Sequence, residues 1–316
     1  MNILFKFGRR ADDSNGMNAA EYHSRPELSS SQLVDFMESP RLYWMRHKGN
    51  VKRETTDALE FGTLAHKLIL EGEEAFWKHY ANGAEAPVNP ATGKYYGNDS
   101  NKYKDWAASV GKPVAHPDDV ALAKRLRMAV HAHPSKPLGK DGKAETVVFA
   151  ELHGVKCRAM IDWITGGTMI DLKTTADIKW ITNDVDRLRY IYRLAFYRDV
   201  YAAATGGVLL TPKIVAVEKK QPYAVRVLAI GSATLDEASR RNRETILEIA
   251  ECERNNFWPT RYEAEEVIGE NYADTDAPNN TTASQPQAGA GQDSALRTPE
   301  NREVNAGRTV PEALDY

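Results

Sequence analysis

Cys157-Arg-Ala-Met-Ile-Asp-Trp-Ile-Thr-Gly-Gly-Thr-Met-Ile-Asp-Leu-Lys-Thr-Thr175 decides the fold. Its two β-branched runs are joined by Gly166-Gly167, a pair suited to the positive backbone angles of a two-residue hairpin turn. A two-residue loop fixes the register: Thr165 opposes Thr168, Ile164 opposes Met169, Trp163 opposes Ile170, and Asp162 opposes Asp171. Because side chains alternate along a strand, Lys173 shares the side of Asp171, while Ile170 and Leu172 enter the other layer.

Directly opposed residues lie about 5 Å apart at Cβ. Two like charges at that distance repel by roughly 3 kcal/mol at an effective dielectric near 20. Lys173 offsets part of this repulsion, and a divalent metal between the carboxylates offsets more, with Mg²⁺ completing its oxygen shell from water and phosphate. The plainer alternatives are one protonated Asp, or a solvated pair at a sheet edge.

Outward from this hairpin the chain divides by pattern. Upstream it is helical: Ser29, Ser30 and Ser31 offer N-caps before Leu33, Val34, Phe36 and Met37, and Pro40 opens a second helix. Phe61, Leu64, Ala65 and Leu68 follow the spacing of a buried helical stripe. His66 falls off that stripe, with Gly62 one turn earlier leaving its imidazole uncovered, although a lone helix histidine is commonly a surface residue. Residues 82–97 are expected to form an exposed loop and residues 118–131 a helix. Thr146 to Ala150 forms a strand before the hairpin. Glu145 opens it and is a candidate third carboxylate; Glu151, at its far end, is an alternative. Downstream come a long helix over residues 185–204, strands over 213–217 and 224–230, and a helix over 235–255. This order is an α/β layer architecture on a central mixed sheet flanked by helices, with an N-terminal helical region.

The chain has 316 residues, 42% hydrophobic and 27% charged, enough for a substantial core without crosslinks. Its 41 Lys and Arg against 44 Asp and Glu give a net charge of −3, so any nucleic-acid contact must come from a local basic surface. Cys157 and Cys252 are too few for a structural zinc or iron–sulfur set and read as free thiols. Without an apolar run of some 18 residues the chain reads as cytoplasmic, with no membrane partner. A P-loop is excluded, because Gly93-Lys94 lacks the upstream Gly and the following Ser or Thr. Residues 1–20 carry little pattern, residues 21–272 form the expected folded domain, and residues 273–316 are expected to be a disordered tail.

Gly154 to Asp162, Met169 to Asp177 and Arg189 to Tyr197 together resemble the PD-(D/E)XK (restriction-endonuclease-like) core of RecE-type exodeoxyribonucleases, the exonuclease VIII group. Ser39-Pro40, Gly62-Thr-Leu-Ala-His66 and Phe257-Trp-Pro259 resemble flanking motifs of that family. The resemblance implies a Mg²⁺-dependent exonuclease, with Mn²⁺ able to substitute, that digests double-stranded DNA from 5′ ends. It also implies a ring-like homo-oligomer and a single-strand annealing recombination protein as partner. Position by position, it makes Asp162 and Asp171 metal ligands and Lys173 the residue that activates water. It makes His66 a further catalytic or metal-site group and assigns Glu145 to the acid preceding the hairpin. The family's Gln in the following helix is replaced here by Arg193, with Tyr197 retained. Arg189, Arg193 and Tyr197 are expected to share a helix face that grips DNA phosphates. An endonuclease on the same core, or an inactive DNA-binding module, are the competing expectations.

Overall fold

The computed structural model describes residues 17, 19–49, 51 and 56–264. The chain divides between Arg261 and Tyr262, and the helices and strands named here belong to the unit that ends at Arg261. Residues 1–16 and the expected tail at 273–316 lie outside the described residues.

The N-terminal part holds α1 (Ala19–Ser24), α2 (Ser30–Glu38), α3 (Pro40–His47) and α4 (Asp57–His66). Ser29 caps α2 through a capping box with Gln32, and Ser39 caps α3 with Pro40 in its first turn. A wide π-turn, Lys67–Glu71, follows α4 directly. Next come α5 (Gly72–His79), β1 (Ala81–Asn82), α6 (Asn101–Val110), β2 (Val114–Ala115) and α7 (Pro117–Ala132). The stretch expected as an open loop is therefore partly built in: β1 pairs with β2, and Gly83 and Ala86 are buried. A Cβ on Gly83 would sit 2.5 Å from the carbonyl oxygen of Ala115, so close backbone approach explains that glycine.

The main sheet contains β3 (Lys143–Leu152), β4 (Val155–Thr165), β5 (Thr168–Thr175), β6 (Thr211–Glu218) and β7 (Val225–Ala229), in that spatial order. β3, β4 and β5 form an antiparallel meander, β5 and β6 run parallel, and β7 returns antiparallel, so the sheet is mixed. Between β5 and β6 lie α8 (Ile181–Arg187) and α9 (Tyr190–Ala204), and α10 (Ser232–Asn255) follows β7. The single long helix expected over residues 185–204 is two helices, because Arg189 adopts a left-handed φ of 54° that breaks the spiral between them.

Two layers of helix cover the sheet. On one face Phe61, Leu64, Ala65 and Leu68 of the α4 stripe pack with Val120, Ala123, Leu126 and Val130 of α7 over Ile170, Leu172, Val215 and Val217. On the other, Leu33 and Phe36 of α2, Phe196 and Val200 of α9, and Ile246 and Ile249 of α10 cover Val148, Cys157 and Ala159. Trp258 stacks on Tyr43 with ring centroids 5.5 Å apart, and Pro259 accepts from Arg41 N–H at 3.0 Å, tying the segment after α10 to α3. No helix among the described residues is long and apolar enough to cross a membrane.

Candidate active site

The Gly166-Gly167 turn has both residues at positive φ, and the hairpin pairs Thr165 with Thr168, Ile164 with Met169 and Trp163 with Ile170, as the count from the turn requires. There the ladder ends. Asp162 and Asp171, next in line, do not pair through their backbones; Asp162 Oδ2 instead accepts the Leu172 N–H at 2.8 Å. From this row the sheet forks: β4 stays with β3, and β5 stays with β6 along its whole length.

The fork is marked on β3 as well. Pairing of β3 with β4 is regular on either side of Glu145 and Asp162 but skips that row, where Glu145 has a left-handed φ of 46°. Side-chain alternation turns over at the same place. Val148, Ala150 and Leu152 face α9, yet Ala144 packs on the opposite face; Cys157, Ala159 and Ile161 face α9, yet Trp163 does not. A regular strand would keep each set on one side. The irregular row re-aims two carboxylates into the gap, a common use of disrupted pairing beside functional sites.

Lys173 Nζ lies 2.7 Å from Asp171 Oδ2 and 4.9 Å from the centroid of the Tyr190 ring. Burial alone would depress the Lys173 pKa, but Asp171, with Tyr190 and Asp162, outweighs it, and the ammonium is held charged well above its ordinary range. From the other side His66, last residue of α4, brings Nδ1 to 3.7 Å from Asp162 Oδ2. A Cβ on Gly62 would meet nothing within 4 Å, so the helix surface one turn before His66 is open. Burial raises the Asp162 pKa, with His66 opposing and Asp171 reinforcing the shift. Burial, then Asp162 and Glu71, push Glu145 up to about 8. Glu71, which forms an ion pair with Lys67 at 2.7 Å within the π-turn, is thus a fourth acid acting on this site. The spacing of the α4 stripe could not reveal it, because the π-turn changes the helical phase after His66.

The fork brings together Asp162, Asp171, Lys173, His66 and Glu145; Glu151 is exposed near the far end of β3. The acids are hard oxygen donors crowded at one row, each disfavouring the ionisation of the next, a set that suits a divalent cation. Among the described residues no three His, Cys, Asp or Glu side chains converge into a ligand group by themselves. The expected trio of Asp162, Asp171 and His66 is therefore not a closed cage: Lys173 engages Asp171, while Asp162 is turned toward Leu172 N–H.

The α9 face differs from expectation. Arg189 is the left-handed residue before the helix and lines a separate cleft with Asp186, Tyr192 and Glu237. The residues that share the site face are Tyr190, Arg193 and Tyr197, and the charges of Lys173 and Asp171 act on Tyr190. The spacing 190, 193, 197 was present in the sequence, but the assumption of one continuous helix placed Arg189 there instead. The Tyr197 hydroxyl accepts from Ser30 Oγ at 2.9 Å and its ring packs beneath the sheet, so it braces α9 against α2. Arg193 has its Nε buried without a hydrogen-bond partner.

Residues 29–271 match the family model described as a PDDEXK-like domain of unknown function (DUF3799). No curated protein matches the sequence. Among solved structures, the chain resembles a "putative exonuclease" from Eubacterium rectale with a TM-score of 0.55 and 15% identity, covering 91% of this chain and 97% of the other. At that identity the likeness speaks to the fold, and the fold is the PD-(D/E)XK nuclease fold.

Proposed function

This chain belongs to the PDDEXK-like family, and from that premise we propose that it is a Mg²⁺-dependent exonuclease acting on the ends of double-stranded DNA. The observation that carries the reading is the fork, where two strands part at the row of Asp162 and Asp171 and the half-buried Lys173 ammonium lies 2.7 Å from Asp171. Asp162 and Asp171 would hold the metal, with Glu145 and His66 adjoining it. When bound, the metal supplies charge neutralisation at the scissile phosphate.

The protein's own groups supply the rest. The Lys173 ammonium, fixed by Asp171, offers its remaining donors to the oxygen of an attacking water and lowers the cost of negative charge there. Its raised pKa makes it an electrostatic donor rather than a proton acceptor at neutral pH. The Leu172 N–H fixes one oxygen of Asp162, and the other would serve the metal. Arg193, with a buried Nε lacking a partner, supplies a guanidinium for a phosphate on the α9 side. Digestion from 5′ ends, a ring-like oligomer and a partner annealing protein form part of the same proposal and rest on the RecE-type resemblance.

The test compares linear duplex, labelled separately at each terminus, with covalently closed circular duplex, in Mg²⁺ and in EDTA. The reading predicts progressive loss of label from one terminus of the linear DNA in Mg²⁺, none in EDTA, and intact circles. Cutting of circles would replace the exonuclease with an endonuclease, and binding without degradation would leave an inactive module.

A further inference from the structure

Among the described residues Lys173 makes one ion pair, to Asp171 Oδ2 at 2.7 Å. A flexible four-carbon stem held at a single point fixes the distance of the ammonium but not its direction, because the head can pivot about the contact. On the nuclease reading Asp171 also holds the metal, so the carboxylate that fixes Lys173 shares its charge with a second cation. A hold that is neither charged nor a metal ligand would keep the ammonium in place in that state. The face of an aromatic ring is such a hold.

Tyr190 supplies one. Its ring centroid lies 4.9 Å from Lys173 Nζ, inside the roughly 6 Å over which a ring face attracts a cation. The ring is itself fixed: Tyr190 is 8% exposed and packs with Val185 of α8, Leu194 of α9, Ile214 of β6, and Leu235 and Ala238 of α10. Ile214 pairs with Asp171, and paired neighbours share a face of the sheet, so this packing sits on the face that bears Asp171 and Lys173. Tyr190 is also the first residue of α9, directly after the left-handed Arg189, so the break in the backbone sets its place. Ordinary core packing accounts for the buried ring. An ammonium over its face does not follow from packing, since lysines commonly carry that group out to water.

We propose that Tyr190 is a positioning residue for Lys173, the face of its core-fixed ring holding the ammonium independently of Asp171 so that Lys173 stays aimed at the attacking water. This rests on the nuclease reading and adds to it a group that touches neither metal nor DNA. The part of Tyr190 that acts is the electron-rich face, and the hydroxyl is dispensable.

The test replaces Tyr190 in the full chain by Phe, by phenylalanines with one, two and three ring fluorines, and by Leu. Phe keeps the negative face, each fluorine withdraws charge from it at nearly constant shape, and Leu removes it. Single-turnover degradation of linear duplex in Mg²⁺ is expected to stay within about threefold of native in Tyr190→Phe, and to fall stepwise along the fluorine series to about tenfold below Phe. Tyr190→Leu is expected to lose about tenfold or more, with duplex affinity in Ca²⁺ unchanged throughout. In the metal-free chain labelled with ¹³C-lysine, the ring current is expected to move the Lys173 ε-methylene signal upfield in the native chain and in Tyr190→Phe. A flat fluorine series in variants of native melting temperature overturns the inference, and so does absence of the upfield signal in the native chain; Mg²⁺-dependent degradation leaves the nuclease reading standing in either case. A loss in Tyr190→Phe as large as in Tyr190→Leu would move the role to the hydroxyl and overturn it too. Should Tyr190→Leu fail to fold, the fluorine series decides. A native chain that leaves every duplex intact overturns both readings.

Discussion

Asp162 Oδ2 accepts the Leu172 N–H at 2.8 Å, so a side chain of β4 fills the place its backbone would have taken in the ladder with β5. The same carboxylate lies 3.7 Å from His66 Nδ1 and, on the proposed reading, is a metal ligand. Substitutions separate the two roles. Asp162→Asn and Asp162→Ala both remove a buried charge, but only Asn keeps an acceptor for the amide. Asn is expected to be more stable than Ala by about 1–3 kcal/mol in urea denaturation, with both lacking nuclease activity. Equal stabilities would mean that the amide bond contributes nothing to holding the fork.

Glu145 gives the fold a pH dependence of definite sign. Its pKa rises from an ordinary 4.5 to about 8 on folding. Between these values the folded chain keeps a proton that the unfolded chain has released, so this contribution is complete below the lower value and is lost as pH rises through the upper one. Glu145→Gln is expected to match the native melting temperature near pH 4.5 and exceed it at pH 8, measured without divalent metal. A native-like fall in stability across that window in Glu145→Gln would locate the titration elsewhere.

His66 stands 3.7 Å from Asp162 on a helix surface left open by Gly62. His66→Ala removes no core packing, so its melting temperature is expected to stay within the small range typical of surface changes. The degradation rate is expected to fall about a hundredfold. A native rate in single-turnover digestion would make His66 a bystander at the edge of the site.

Arg193, on the face of α9 that carries Tyr190 and Tyr197, keeps a buried Nε without a hydrogen-bond partner. Removing one phosphate contact lowers the dependence of log affinity on log salt by about one unit. Arg193→Ala is expected to show that reduced slope in duplex binding, whereas Arg189→Ala, in its separate cleft, is expected to keep the native slope. A native slope in Arg193→Ala would remove it from the DNA path.

The legible parts of the sequence were those set by local rules. Gly166-Gly167 fixed three cross-strand pairs by counting, Ser39-Pro40 fixed the start of α3, and the stripe from Phe61 to Leu68 fixed the buried face of α4. The hidden parts were departures from regular geometry. Counting along a regular hairpin placed Asp162 backbone to backbone with Asp171, and nothing local signals that the strands separate at that row. The left-handed Arg189 likewise interrupts a segment whose composition favours continuous helix, which moved Tyr190 onto the site face and Arg189 off it. The π-turn placing Glu71 beside Glu145 follows from packing between distant segments rather than from local periodicity.

On the proposed reading the forked row of carboxylates performs metal-dependent cleavage. Release of acid-soluble nucleotide from linear duplex in Mg²⁺, compared between the native chain and Asp171→Asn, tests it most directly. Asp171→Asn is expected to lose at least about a thousandfold in rate while keeping its fold, judged by thermal melting. A folded Asp171→Asn that degrades DNA at the native rate would contradict it.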